Sequence, residues 1–125
     1  MKEFIRQRLL ESVLNNIDTS KIKIRKAVVN NLLVYTPFYD GNRMGAFRLK
    51  PLGDDYKIFA TVLYDDYKGK GLGKGMYRYI IKDLGKDNKT LYSDDMQSAD
   101  AARVWDSLVS MGMAEKTGET YKSKV

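Results

Sequence analysis

The sequence predicts an α/β fold: a mixed, mainly antiparallel twisted sheet with helices on both faces. Three observations carry this expectation. From residue 21 to residue 64, short runs that alternate apolar and polar side chains follow one another through compact turns, the pattern of an antiparallel meander. A loop with glycine at 69, 71, 73 and 75 then leads the last run into an amphipathic helix. A further short strand, a second helix and a closing hairpin complete the chain, and strand–helix–strand implies a right-handed crossover between parallel strands. A chain of 125 residues makes one domain, 1–125, with room for a genuine core.

Taken in order, Ile5, Leu9, Val13 and Ile17 step by four and predict a core-packing helix over residues 3–17. Asp18-Thr-Ser20 breaks it. Lys21–Val29 alternates as a strand, and Asn30-Asn31 forms a two-residue hairpin turn because asparagine tolerates positive φ. Leu32–Thr36 follows as a strand, with Pro37 marking an edge or bulge at its far end. Asp40-Gly-Asn42 turns into Met44–Leu49, and Pro51–Asp55 turns into the strand Tyr56–Tyr64. The aromatic residues of this meander are assigned to sheet packing.

Leu72, Met76, Ile80 and Leu84 form one face of the central helix, with Lys74, Arg78 and Lys82 on another. Gly85 is the expected left-handed C-cap. Lys86–Asn88 turns into a short strand over 89–93. Ser98 caps a helix from Ala99 to Met111, whose apolar face is Ala101, Trp105 and Leu108, widened by Ala102 and Val109. Gly112 ends it, and Met113–Lys116 and Tyr121–Val125 form a hairpin around Thr117–Glu119.

Composition removes several chemistries. The chain has no cysteine and no histidine, which excludes disulfides, thiolate nucleophiles, the usual zinc sites and a histidine base, so no metal ligands are expected. The absence of cysteine fits a cytoplasmic protein. The first residues break their apolar run with charges, unlike a signal peptide, and no stretch is long and apolar enough to span a membrane. A net charge of +6 favours acidic partners, a nucleotide cofactor or a nucleic acid. The nucleic-acid alternative lacks any motif beyond Tyr77-Arg78-Tyr79, which helix packing explains.

The glycine loop is the informative stretch. Glycine lets the main chain approach an oxyanion, the helix start offers unpaired N–H groups and the positive end of the dipole, and Lys68, Lys70 and Lys74 add charge there. This is the form of a diphosphate cradle. The Walker spacing fails, since no Gly-Lys-Ser/Thr stands at the right distance. The dinucleotide fingerprint fails too, with Lys74 and Met76 where its last glycine belongs. Arg/Gln-x-x-Gly-x-Gly/Ala fits, with Lys68, Gly71 and Gly73 in the three slots, and Asp66-Tyr-Lys-Gly-Lys-Gly-Leu-Gly73 extends the match outward.

In these residues the chain resembles the GNAT superfamily of N-acetyltransferases. The resemblance is specific over 56–84 and weaker over 89–116, where Ala101–Leu108 and Gly112-Met113 are similar to the family's fourth helix and its closing Gly-Phe. Compact phage-encoded acetyltransferase-like proteins are a looser association, which would imply the cytoplasm of a host.

The resemblance implies that Leu63, Lys68, Gly69, Lys70, Gly71, Leu72, Gly73 and Lys74 hold acetyl-CoA (coenzyme A). The Leu63 main chain would meet the acetyl carbonyl. It further implies direct acetyl transfer to an amine, either a small molecule or a protein lysine or N-terminus; no residue names the acceptor, and an oligomer is left open. The family's base slot falls on Ala60 or Thr61 and its acid slot on Leu108, none of which ionises usefully. Tyr92, Ser93 and Asp94 are the candidate substitutes, a hydroxyl for the leaving thiolate and a carboxylate for the amine proton. Asp95 is an alternative carboxylate, the competing reading of the pair is a solvated turn, and Trp105 is either core or cofactor wall. The different-class alternative is a catalytically silent GNAT-like module that binds a partner protein, with or without coenzyme A.

Overall fold

In a computed structural model of the chain, the structure describes residues 18–124. The helix expected over 3–17 lies outside them. The described residues form β1 (Ile22–Val29), β2 (Leu32–Tyr39), β3 (Asn42–Arg43), β4 (Gly45–Leu52), β5 (Asp55–Leu63), helix α1 (Leu72–Gly85), β6 (Leu91–Tyr92), helix α2 (Ala99–Ser110), β7 (Ala114–Thr117) and β8 (Thr120–Ser123). One mixed sheet runs β1-β2-β4-β5-β6-β8-β7, with β3 paired to β2. All pairs are antiparallel except β5–β6, the crossover that α1 spans. Among the described residues no helix is long and apolar enough to cross a membrane.

Turn chemistry sets the meander. Asn30 and Asn31 both have positive φ, 51° and 66°, and join β1 to β2 as a tight hairpin. Asp40 and Gly41 repeat this, at 50° and 84°, between β2 and β3. Pro37 lies inside β2, beyond the point where the ladder to β4 stops at Tyr35 and Phe47. Its carbonyl accepts from the Met44 amide at 2.9 Å. A strand residue turns its N–H and C=O the same way, so the missing N–H faces this loose end and the pairing with β1 is kept. The turn into β5 is shorter than Pro51–Asp55: β4 runs on through Pro51 and Leu52, which pair with Tyr56 and Asp55.

One irregularity re-phases β5. Leu49 pairs with Ile58 but Arg48 pairs with Ala60, so Phe59 is an extra, unopposed residue, a β-bulge. Opposed residues share a face. Ile58, Thr61 and Leu63 therefore stand with Leu49, Phe47 and Gly45, whereas strict alternation would have put Ala60 and Val62 there.

The core lies on that face, under both described helices. Tyr77 of α1 meets Phe47 edge-on at 6.0 Å and Trp105 of α2 at 5.4 Å, and Trp105 stacks on Tyr121 of β8 at 5.6 Å. Trp105 is fully buried. Val109, expected on the apolar face of α2, is exposed, and Val104 packs against the core in its stead. The left-handed residue that ends α1 is Asn88 (φ 58°) rather than Gly85, which stays helical. The Lys89 amide reaches the Leu84 carbonyl at 3.0 Å and the Asn88 amide the Gly85 carbonyl at 3.1 Å, a Schellman closure. Gly112 (φ 76°) ends α2 in the same way. The strand expected over 89–93 is paired only at Leu91 and Tyr92.

Candidate active site

Past Leu63 the chain makes a short 3-10 turn, Asp65–Tyr67, and enters the glycine loop. Gly69 and Gly71 have φ of 75° and 78°, a left-handed backbone that disfavours side chains. Gly71 is the N-cap of α1, and its carbonyl accepts from the Gly75 amide at 3.1 Å. It carries no side chain to cap the helix. The amides of Leu72, Gly73 and Lys74, in the first turn, have no carbonyl a turn back to bond. A Cβ on Gly73 would meet only Leu63 Cδ1, at 4.0 Å, so the missing side chain keeps space open between the helix start and the end of β5.

That space is part of a cleft of about 530 Å³ between the end of β5, the loop and α2. Of the residues expected to hold the cofactor, Leu63, Lys68, Gly69, Gly71, Gly73 and Lys74 line it. Lys70 is exposed on the loop, and the side chain of Leu72 is buried in the core, leaving only its amide for a ligand. Lys68 stands at the rim, its Nζ 3.2 Å from Asp65 Oδ1. Across the cleft α2 supplies Asp100, Ala101, Arg103, Val104 and Ser107, of which the sequence singles out only Ala101, as a packing residue. This set suits a bulky anion: backbone amides at a helix N-terminus and two lysines, with Arg103 paired to Asp100 and an apolar stretch at Leu63, Ala101 and Val104 opposite.

A second cavity, of about 260 Å³, opens where β5 and β6 part. These strands pair only through Tyr56–Leu91 and Lys57–Tyr92, and residues 58–61 of β5 then face the 94–98 loop across open space. Asp94 lines this cavity, with Phe59 and Met96, both exposed, at its mouth. Asp95 is turned outward to Lys57 Nζ, at 2.9 Å. Tyr92 lies on β6, half-buried and outside the lining of both cavities. Ser93 is buried, and its Oγ accepts from the Tyr121 amide at 2.8 Å and from Gln97 Nε2 at 3.3 Å.

The two cavities share a wall: Thr61, Tyr77, Ser98 and Ala101 line both. Burial pushes the Tyr77 phenol up to about 12; a hydrogen bond with the Thr61 side chain acts downward and the charge of Asp94 upward. The sequence assigns Tyr77 to packing alone, and Thr61, at the family's base slot, carries no group that ionises usefully. The sequence carries no signal that their side chains share this wall.

No family model matches the chain, and no curated protein matches it by sequence. Solved structures do. The ribosomal-protein-S18-alanine N-acetyltransferase of Escherichia coli aligns over 64% of this chain and 53% of its own, at 22% identity and a TM-score of 0.56. The chain thus spans about half the length of that enzyme. A GNAT family acetyltransferase of Elizabethkingia anophelis, with acetyl-CoA bound, aligns over 78% of each chain at 12% identity and 0.61. The IAA acetyltransferase of Bacillus cereus aligns over 83% of this chain and 99% of its own at 11% identity and 0.63. The fold is that of the GNAT acetyltransferases.

Proposed function

We propose that the chain is an acetyl-CoA-dependent N-acetyltransferase that passes the acetyl group directly to an amine. The observation that carries this is the first turn of α1: its uncapped amides, between Gly71 and Lys74, open into the same cleft that reaches the end of β5. A diphosphate fits there, because Gly69 and Gly71 hold a backbone that side chains avoid and Gly73 keeps the space a Cβ would fill. The amides and Lys68 and Lys74 would hold the diphosphate, and the apolar stretch by Leu63 and Val104 would take the arm that ends in the thioester. Acetyl-CoA supplies an activated acyl group on a good leaving sulfur. That E. anophelis enzyme carries acetyl-CoA in the same fold.

The chain's own contribution is to bring the partners together. Beyond Lys57, β5 has no strand neighbour on the β6 side among the described residues, so its main chain there, with Leu63 at its end, can polarise a carbonyl in the cleft. The second cavity would receive the amine, as a small molecule or as a protein lysine or N-terminus. Asp94 would draw in an ammonium and accept its proton before attack. Tyr92 and Ser93 have no part in this scheme.

Calorimetric titration with acetyl-CoA, followed by a mass-shift assay against a panel of primary amines, tests the proposal. The expected result is binding and a 42 Da product on at least one amine, roughly the mass of an acetyl group replacing hydrogen. Absence of acetyl-CoA and CoA binding overturns it. Binding without any product across the panel turns the assignment to a silent CoA-binding module.

A further inference from the structure

Besides Ser98, whose Oγ caps α2, two hydroxyl side chains stand in the wall that the cleft and the second cavity share. Thr61 comes from β5 and Tyr77 from α1; both line both spaces, and the Thr61 side chain is close enough to act on the Tyr77 phenol. The bulge at Phe59 is what brings them together. It turns Thr61 onto the face of Ile58 and Phe47, and Tyr77 rests edge-on against Phe47. Without the extra residue, Ala60 or Val62 would face the tyrosine and β5 would bring no hydroxyl to this wall.

We propose that Thr61 and Tyr77 are a proton relay through this wall, from an amine in the second cavity to the sulfur in the cleft. The inference rests on the acetyl-transfer function proposed above. In that reaction a bond forms between the amine nitrogen and the acyl carbon, and the carbon–sulfur bond breaks with its electron pair going to sulfur. One proton must leave nitrogen and one must reach sulfur. Thr61 Oγ takes the proton from nitrogen while its own hydrogen passes to the Tyr77 oxygen, and the phenol hydrogen passes to sulfur. Each oxygen gains one hydrogen and loses one, so neither ends the step charged. A threonine can therefore stand where an ionisable base would otherwise be needed. Tyr77 is a neutral phenol at neutral pH, and burial shifts it further from ionisation, so the donor is loaded before the sulfur leaves.

The relay separates from a packing role in one set of measurements on the full chain. Tyr77→Phe keeps the ring contacts with Phe47 and Trp105, and Thr61→Val keeps the β-branched shape. In the binding arm, CoA and desulfo-CoA are titrated from pH 6 to pH 10. A phenol that donates to sulfur lowers the bound thiol's pKa, so wild-type affinity for CoA rises about tenfold as the pH passes through the thiol range, one pKa unit being a factor of ten. Tyr77→Phe loses that rise, and desulfo-CoA shows none with either protein. In the turnover arm, with acetyl-CoA and 2-phenylethylamine as the probe, each single change lowers kcat about 10²-fold or more with KM for acetyl-CoA unchanged. The double variant is no slower than the slower single, and Thr61→Ser restores the rate. If the probe amine is not turned over, the binding arm decides alone. A CoA affinity profile in Tyr77→Phe that tracks wild type, or single effects that multiply in the double variant, overturns the relay while acetyl transfer stands. Wild type that binds neither ligand removes the acetyl-transfer function and the relay with it.

Discussion

Ser93 and Tyr121 exchange two hydrogen bonds where the sheet is narrowest. The Tyr121 amide donates to Ser93 Oγ at 2.8 Å, and the Ser93 amide donates to the Tyr121 carbonyl at 2.9 Å. Ser123 Oγ does the same for the Leu91 amide at 2.8 Å. β6 is only two residues long, and these hydroxyls extend its ladder with β8. Ser93→Ala strands a buried N–H, which costs about 1–3 kcal/mol. A urea melt should show the lower midpoint, and turnover per folded molecule should be unchanged. A folded Ser93→Ala protein that had lost its turnover would return this serine to the chemistry.

Gly45 and Val62 set the closest approach of β4 and β5. A Cβ at position 45 would lie 2.1 Å from the Val62 carbonyl oxygen, backbone that cannot step aside. Gly45→Ala should cost at least as much as severe overpacking, about 3 kcal/mol. It should also move Leu63, the partner of Gly45, and so weaken acetyl-CoA binding measured on the remaining folded protein.

Ligand binding to the folded state alone adds about 2.7 kcal/mol at a hundredfold excess over Kd. For acetyl-CoA this should raise Tm on the order of 8–12 °C. Adenosine should raise it much less, since the loop addresses the diphosphate. Gly73→Val should abolish the shift by filling the space beside Leu63. Gly71→Val should do so as well, with a separate strain of about 1–2 kcal/mol or more from a side chain at φ 78°. Lys68→Ala should reduce the shift only partly. An unchanged shift in Gly73→Val would exclude this loop as the site.

Asp83 ties α1 to the meander, accepting from Lys26 Nζ at 2.8 Å and from the Tyr35 hydroxyl at 2.7 Å. Burial pushes its carboxyl pKa up, but these two bonds and the Lys26 charge outweigh it and hold the pKa below the usual value. A carboxylate depressed on folding stabilises above its unfolded pKa of about 3.9, and that contribution is lost as pH falls through the folded value. Urea midpoints should therefore drop below pH 4, and Asp83→Asn should flatten this part of the profile. An identical acid limb in the variant would show that the cluster carries none of it.

The sequence made the order of elements legible wherever a local rule was enough. Asn30-Asn31, Asp40-Gly41, the Ser98 cap, whose Oγ accepts from the Ala101 amide at 3.1 Å, and the Gly112 stop are all local. The bulge was hidden because Ile58–Leu63 is uniformly strand-prone, and only the pairing with β4 reveals the extra residue. Asn88 displaced Gly85 as the cap because both residue types accept positive φ, and the buried Leu84 keeps the last turn helical to its end. The loop glycines could be read because they form a contiguous motif. Tyr77 could not, since its ring packs in the core as the pattern predicts, and only the fold shows that the residue also lines both cavities.

The two-pair junction of β5 and β6 has a consequence for cooperativity. It joins a meander of β1 to β5 to a small block of β6, β8 and β7, and two ladder positions are few to hold two parts of a sheet to one stability. Amide hydrogen exchange should therefore resolve two protection levels, with β7 and β8 opening at lower free energy than β2 and β4. Whatever fills the cleft touches β5 on one side and α2 on the other, and α2 packs on β7. Occupancy then acts as a strap across the junction, drawing the weaker block toward the protection of the stronger.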